Sequence, residues 1–238
     1  MEQEIIPGST RVPIDELKEA LENGGEKKRT ILDLGSGEGR STQALIRNFP
    51  NSNVVAFDLS MEGLKKTKEA GGRVRGTALE LPFKNESADV VVLCGVLTNI
   101  TDDDPKEAVK ARKKVFSEVA RVLKSGGICV ISDFSNEHSN SGYHVNYFRH
   151  ELVTGEHGTI AVFDLSAKIT FAGKSDNEVA SLAKSPHLQR FAHHYSPEEI
   201  IDLVEAEGNL INPHSKIEAG STPSGTPIDA LVMTFTKK

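Results

Sequence analysis

Short apolar runs separated by amphipathic stretches set the rhythm of this chain. Thr30 to Leu34, Asn53 to Phe57, Asp89 to Cys94 and Ile128 to Ser132 are rich in Val, Ile and Leu. Such continuous runs predict strands covered on both faces. Arg73 to Arg75 is a weaker strand signal. Between the runs, Arg40 to Phe49, about Ser60 to Ala70, and the stripe Ala108, Val115, Val119, Val122 and Leu123 predict helices. A further short helix, Ile14 to Leu21, stops at Gly24-Gly25. The alternation of strand and helix predicts a mostly parallel α/β sheet.

Punctuation residues sharpen these boundaries. Asp104 can cap the long helix, Pro105 fits its first position, and Glu107 stands at capping-box spacing. Ser125-Gly126-Gly127 is expected to end it. Ser196-Pro197-Glu198-Glu199 opens another helix, which closes at Gly208. Strand signals near Leu210 to Ile217 and Ile228 to Thr236, separated by the turn cluster Ser221 to Pro227, predict a terminal antiparallel hairpin.

The stretch from Phe134 to Tyr195 differs. It holds all three tyrosines and seven of the eight histidines, His138, His144, His150, His157, His187, His193 and His194. Loops of such length are usually functional or disordered. It reads as an insertion on the core, partly helical, with a short hairpin expected around Gly158 to Phe171.

At 238 residues the chain suits one domain, 1–238, with the insertion at about 134–195. A formal net charge of −6 offers no global positive field for nucleic acid, although a local basic patch stays open. The basic run Lys110 to Lys114 reads as the solvated face of a helix. No apolar run approaches a membrane span, and the acidic N-terminus has no apolar signal core. Cys94 and Cys129 sit in strand-like runs, which suits buried thiols in a reducing compartment. The expected location is cytoplasmic.

The chemistry concentrates in Asp33-Leu34-Gly35-Ser36-Gly37-Glu38-Gly39. A buried strand runs into a glycine loop and then a helix, the context of a nucleotide-binding loop. Arg40 stands where the dinucleotide fingerprint puts its third glycine. Asp33, before the first glycine, would repel a pyrophosphate but suits an ammonium group. Asp58 ends the second strand, where a carboxylate can accept ribose hydroxyls or cap the next helix.

Here the sequence resembles the class I S-adenosylmethionine (SAM)-dependent methyltransferase family. DLGSGEG is similar to its first motif and AFDLS to its acidic second motif. Gly76 to Phe83 is similar to the adenine-contacting segment, with Thr77 where an aspartate is common. Ser87 to Cys94 resembles the fourth-strand motif, with Gly95 to Asn99 facing the methionine end. Thr98-Asn99 stands where two histidines are frequent. Glu118 to Ile131 is close to the fifth motif. The resemblance implies a Rossmann-like, doubly wound seven-stranded sheet, mostly parallel with an antiparallel C-terminal hairpin and a His/Tyr-rich insertion after strand 5. It implies S-adenosyl-L-methionine as cofactor, bound by Asp33, Gly35, Ser36, Gly37, Gly39, Asp58, Leu59, Thr77, Ala78, Leu79, Cys94 and Gly95.

Methyl transfer from a sulfonium needs alignment above all, and a general base only where the acceptor atom starts protonated. His144, His193, His194 and Tyr195 are the candidate catalytic residues, with Tyr143 behind them. Imidazoles with Glu151, Glu156 or Asp164 could hold a metal, but no ligand spacing supports one, and none is expected. Arg149 and Arg190 could hold a carboxylate or phosphate on the acceptor. The leading expectation is a small-molecule methyltransferase, with the insertion as a lid. The alternatives are a tRNA or protein methyltransferase and a non-catalytic SAM-binding module; Asp33 and Arg40 disfavour an NAD-dependent dehydrogenase. A homodimer is compatible with the sequence.

Overall fold

The computed structural model describes residues 12–21, 27–102, 104–137, 151–163, 169–206, 208–219 and 229–238. In chain order the elements are α1 (Ile14–Leu21), β1 (Thr30–Leu34), α2 (Arg40–Asn48), β2 (Asn53–Asp58), α3 (Met61–Lys66), β3 (Gly72–Arg75) and β4 (Ala88–Cys94). Then come α4 (Pro105–Val122), β5 (Leu123–Phe134), β6 (Thr159–Phe163), α5 (Asp176–Ala180), β7 (Leu188–His193), α6 (Pro197–Glu205), β8 (Leu210–Glu218) and β9 (Ala230–Lys237). A 3₁₀ turn, Leu97–Asn99, follows β4.

Seven strands form one sheet in the order β3-β2-β1-β4-β5-β9-β8. β1 to β5 run parallel, and β9 pairs antiparallel with both β5 and β8. The fold is therefore the Rossmann-like sheet expected, with its antiparallel terminal strands. Period-two alternation splits the strand side chains between two layers. Leu32, Leu34, Val91, Leu93, Cys129 and Ile131 pack with α4 and α6, including Val115, Phe116, Val119, Ile200 and Leu203. Ile31, Val90, Val92 and Val130 face the other way, onto Leu17 of α1 and Leu45 of α2. Strand order reverses between β1 and β4, so a crevice opens at their carboxyl ends, where such sheets bind ligands.

Several local expectations are corrected. α3 ends at Lys66, because Thr67 turns its hydroxyl back to the Leu64 carbonyl at 2.8 Å. Asp104 caps α4 through the Lys106 amide, but no capping box forms. The Asp104 amide is taken by Asp102, and Glu107 pairs with Lys110. Ser125-Gly126-Gly127 does not end the helix: Leu123 is already extended and pairs with Ala88. The residues between Leu123 and Ile128 instead form an irregularity in β5, with Gly126 at φ 73°. The turn cluster Ser221 to Pro227 lies outside the described residues.

The insertion is a two-stranded sheet, but not the local hairpin expected around Gly158 to Phe171. β6 pairs antiparallel with β7, far along the chain, with Thr159 opposite His193 and Ala161 opposite Phe191. α5 lies between them, opened by a Ser175–Glu178 capping box. Val153, Ala161 and Val179 form a small core, with Phe163, Phe171, Leu182, Leu188 and Phe191 against it. Amphipathic β-strands with a dedicated apolar cluster can hold together only if one face is covered. Among the described residues, no helix is long and apolar enough to cross a membrane.

Candidate active site

The loop after β1 is clamped at both ends and open in the middle. Gly35 (φ 73°) lies so close to Val96 that an added Cβ would fall 2.5 Å from its Cγ2, and at Gly39 (φ 89°) one would fall 2.4 Å from Thr67 Cγ2. At Gly37 (φ 50°) a Cβ would meet nothing within 4 Å. The Gly35 and Ser36 amides both donate to the Phe57 carbonyl, at 2.7 and 3.0 Å. This anchors the loop to β2 and leaves the surface at Gly37 for a ligand.

Three carboxylates stand at or near the carboxyl ends of β1, β2 and β5. Asp33 is fully buried, and its Oδ2 accepts from the Ser41 and Thr42 hydroxyls at 2.7 and 2.5 Å. Burial pushes its carboxyl up to about 6, opposed by those two hydroxyls and reinforced by Asp58. Asp58 receives the Gly37 amide on Oδ2 and the Ser60 amide on Oδ1, both at 2.7 Å. Ser60, not Asp58, caps α3. Each Asp58 oxygen retains a second lone pair for a hydroxyl donor.

Asp133, near the end of β5, is the residue the sequence reading missed. It is fully buried and accepts from the Thr98 amide at 3.2 Å and from its own neighbour Phe134 at 2.8 Å. Burial raises its carboxyl to about 7, against the backbone amides of residues 96–98 and 134. The available signal was its place: like Asp33 and Asp58, it is an acidic residue at the carboxyl end of a parallel strand.

The remaining cofactor candidates frame the same edge. Leu59, just after β2, is 67% exposed and Leu79, after β3, is 39% exposed, both large apolar surfaces. Arg75 Nε pins the Leu59 carbonyl at 3.0 Å. The Thr77 hydroxyl accepts from the Leu79 amide at 3.3 Å, with half-buried Ala78 between them. Cys94 ends β4, its thiol pushed up by burial and by Asp33 and Asp133. Gly95, at φ 64°, donates to the Ser132 carbonyl at 2.8 Å.

Buried polar atoms without a hydrogen-bond partner gather here. Among the described residues they include Asp33 Oδ1, Ser36 Oγ, Thr98 Oγ1 and Ser132 Oγ. Native proteins rarely leave such atoms unsatisfied. Their convergence at the carboxyl ends of β1, β4 and β5 fits a polar ligand with an ammonium and other hydrogen-bonding groups.

The catalytic candidates divide differently. His144 and Tyr143 lie outside the described residues, as do Arg149 and Asp164. His193 is buried, with Nδ1 2.7 Å from the Thr159 hydroxyl and Nε2 2.7 Å from Glu199 Oε1. His194 is buried with its ring 5.2 Å from Phe134. Tyr195 is fully buried and donates its hydroxyl to the Leu97 carbonyl at 2.8 Å; burial raises its pKa well above the ordinary value.

These residues belong to a charge network centred on Arg112. The solvated-face reading of Lys110 to Lys114 is wrong at this position, for the Arg112 side chain is fully buried. Its Nε donates to the Ile100 carbonyl at 3.0 Å and Nη1 to Glu156 Oε1 at 3.3 Å. Glu199 lies 3.9 Å away and the Tyr195 ring 5.6 Å. Glu156 and Glu199 are thus occupied by a guanidinium and an imidazole. Among the described residues no group of three His, Cys, Asp or Glu side chains could hold a metal ion.

Comparison with known proteins gives this edge its context. A family described as "Methyltransferase domain" matches residues 32–131. A demethylmenaquinone methyltransferase from Thermobifida fusca is 32% identical over 114 residues, covering 44% of each chain. The chain therefore matches less than half the length of that relative. A SAM-dependent methyltransferase structure from Methanosarcina mazei superposes with TM-score 0.68 at 21% identity, over 91% of this chain and 96% of that one. The 1,6-didemethyltoxoflavin-N1-methyltransferase of Burkholderia thailandensis, solved with its acceptor and S-adenosylhomocysteine, gives 0.56 at 16% identity, over 94% and 78%. Residues 32–131 are thus similar to a methyltransferase domain, and the sheet order is that of the Rossmann-like fold of these solved methyltransferases.

Proposed function

We propose that this protein transfers a methyl group from S-adenosylmethionine to a small-molecule acceptor. The observation that carries the reading is the set of unsatisfied buried polar atoms around Asp33, beside the open face of Gly37. When bound, the cofactor supplies an electrophilic methyl group on a sulfonium. Asp33 Oδ1 would meet the ammonium of its amino-acid arm. Asp58 would accept the ribose hydroxyls, and Leu59, Ala78 and Leu79 would cover the adenine. Cys94 and Gly95 would border the methionine end.

The chain's own part in the reaction is alignment and exclusion of water. His193 and Tyr195 serve it as positioning residues: His193 ties β6 and α6 together through Thr159 and Glu199, and the Tyr195 hydroxyl holds the Leu97–Asn99 turn through the Leu97 carbonyl. The insertion covers the acceptor side, with β6, β7 and the Arg112 network as its fixed root. The relatives' names speak of demethylmenaquinone and 1,6-didemethyltoxoflavin as what those proteins methylate, which supports a small molecule as the class.

Calorimetry with SAM, S-adenosylhomocysteine, methylthioadenosine and NAD tests the cofactor assignment. Micromolar binding of the first two and none of NAD is expected. A labelled-methyl assay on cell extract separated into metabolites, RNA and protein then tests the acceptor class. Label confined to RNA or protein would overturn the small-molecule reading. Sedimentation analysis decides between a monomer and a homodimer.

A further inference from the structure

β7 brings a cation to the acceptor side of the sheet. Arg190 is exposed, and its Nη1 donates to Asn99 Oδ1. Asn99 donates through Nδ2 to the Gly95 carbonyl at 2.8 Å. The guanidinium therefore stands two hydrogen bonds from the residue that follows β4, on the turn beside the methionine end.

Its strand is held in that position. Three residues on, His193 is tied to Thr159 and Glu199. Five residues on, the Tyr195 hydroxyl bonds the Leu97 carbonyl of the same turn. The turn is itself fixed from below by Asp133 on the Thr98 amide and by Arg112 on the Ile100 carbonyl. A guanidinium presented on a fixed strand loses little freedom when it binds.

Its charge is also unmatched among the described residues. Arg112 is paired with Glu156 and Arg121 with Glu118. Among the described residues no carboxylate forms an ion pair with Arg190, whose one partner there is a neutral amide. The strand ends nearby carry Asp33, Asp58 and Asp133. An anionic acceptor would be repelled by that edge unless a cation met it, whereas a neutral one would need no such cation.

We propose that Arg190 binds a carboxylate or phosphate group on the methyl acceptor, so that the acceptor is a small anionic molecule. This rests on the methyl-transfer reading and narrows it. The matched family region ends at residue 131, before β7, so acceptor choice lies outside what that match covers.

The test uses the full chain and an ultrafiltered metabolite extract, split by anion exchange before the assay into retained and unretained pools. Each pool is offered with methyl-labelled SAM. Wild-type protein should label the retained pool. Arg190→Gln should lower that labelling roughly 10- to 100-fold, the worth of a charge-assisted contact. Arg190→Lys should recover part of it, and S-adenosylhomocysteine affinity should stay within about threefold of wild type, since Arg190 faces the acceptor. Acceptor activity confined to the unretained pool, or Arg190→Gln labelling the retained pool at the wild-type rate, overturns the proposal and leaves methyl transfer intact. No label in either pool from wild-type protein that binds S-adenosylhomocysteine removes the small-molecule reading and this inference with it.

Discussion

The cofactor edge and the root of the insertion are built from similar materials, buried carboxylates and their donors, but over different chain distances. At the cofactor edge the partners are near in sequence: Asp33 and Ser41 are 8 residues apart, Gly37 and Asp58 are 21 apart. At the insertion root, Arg112 and Glu156 are 44 apart, and Tyr195 and Leu97 are 98 apart. The centre of the first region is one loop with β1, the first turn of α2 and the end of β2. The second is a junction of α4, β6, β7, α6 and the 3₁₀ turn, which exists only once the sheet has assembled. The difference suggests a division of labour, in which the cofactor edge carries binding and the root carries geometry.

Breaking the root should produce the largest effect on stability. Arg112→Ala leaves the largely buried Glu156 without its guanidinium, while Glu199 keeps His193, and removing one partner of a buried pair costs about 3–5 kcal/mol. Urea denaturation should show that loss. Arg112→Met, which fills much of the volume, with Glu156→Gln should recover a good part of it. A loss under about 1 kcal/mol for Arg112→Ala would mean that water reaches the network, and the contrast between the regions would collapse.

Gly37→Val should do the reverse. The added side chain meets no protein atom, so its structural cost is the backbone conformation at φ 50°, about 1–2 kcal/mol. The side chain would occupy the ligand's space, and S-adenosylhomocysteine affinity should fall by roughly 100-fold or more, a loss of about 3 kcal/mol of binding. Calorimetry beside a melting curve separates the two quantities. Normal affinity in this variant would remove the loop from the cofactor site.

The two regions also differ in how much of them the sequence made legible. β1, β2 and β4 were located to within a residue at either end, because each is a continuous apolar run bounded by polar residues. Asp33 and Asp58 could be singled out because glycines and strand ends adjoin them. Arg112 could not: it sits in a Lys/Arg run with helical spacing, and only the arrival of Glu156 and Glu199 makes that face an interior. The partner of β6 was misjudged for the same reason, since strand pairing across the intervening α5 leaves no local turn signal. Asp133 had the same strand-end signal as Asp33 and was passed over because no glycine loop follows it.

A pH series sharpens the comparison at Asp33. Its carboxyl is raised from the ordinary 3.8 to about 6 in the folded protein, so the folded state holds a proton that the unfolded chain releases first. Stability is therefore fully present below about pH 4 and is lost as pH rises through 6. The contribution is on the order of 1–3 kcal/mol. Cofactor-free Asp33→Asn should gain stability relative to wild type as pH rises from about 4 to 6 and hold that gain above it, and bound S-adenosylhomocysteine should shrink that gap by placing an ammonium beside the carboxylate. A constant difference across the series would show that Asp33 does not titrate there.

The smallest expected effect decides what Tyr195 is for. A tyrosine that removes a proton from the acceptor must reach it, and loss of its hydroxyl would cost roughly 10²–10⁴ in turnover with little change in stability. A positioning tyrosine has the opposite signature. In the structure the hydroxyl is buried and donates to the Leu97 carbonyl, so Tyr195→Phe removes one hydrogen bond and leaves a carbonyl lacking it. The expected cost is about 1–2 kcal/mol of stability, with cofactor affinity unchanged because no cofactor-edge residue touches that hydroxyl. Turnover on the retained metabolite pool should fall less than tenfold, mainly through a higher KM, as the turn that carries Asn99 and Arg190 loosens. Hydrogen exchange at the Leu97–Asn99 amides, faster in Tyr195→Phe than in wild type, would tie both changes to the turn. A loss of kcat beyond a hundredfold at wild-type stability would return Tyr195 to the catalytic role its place in the sequence first suggested.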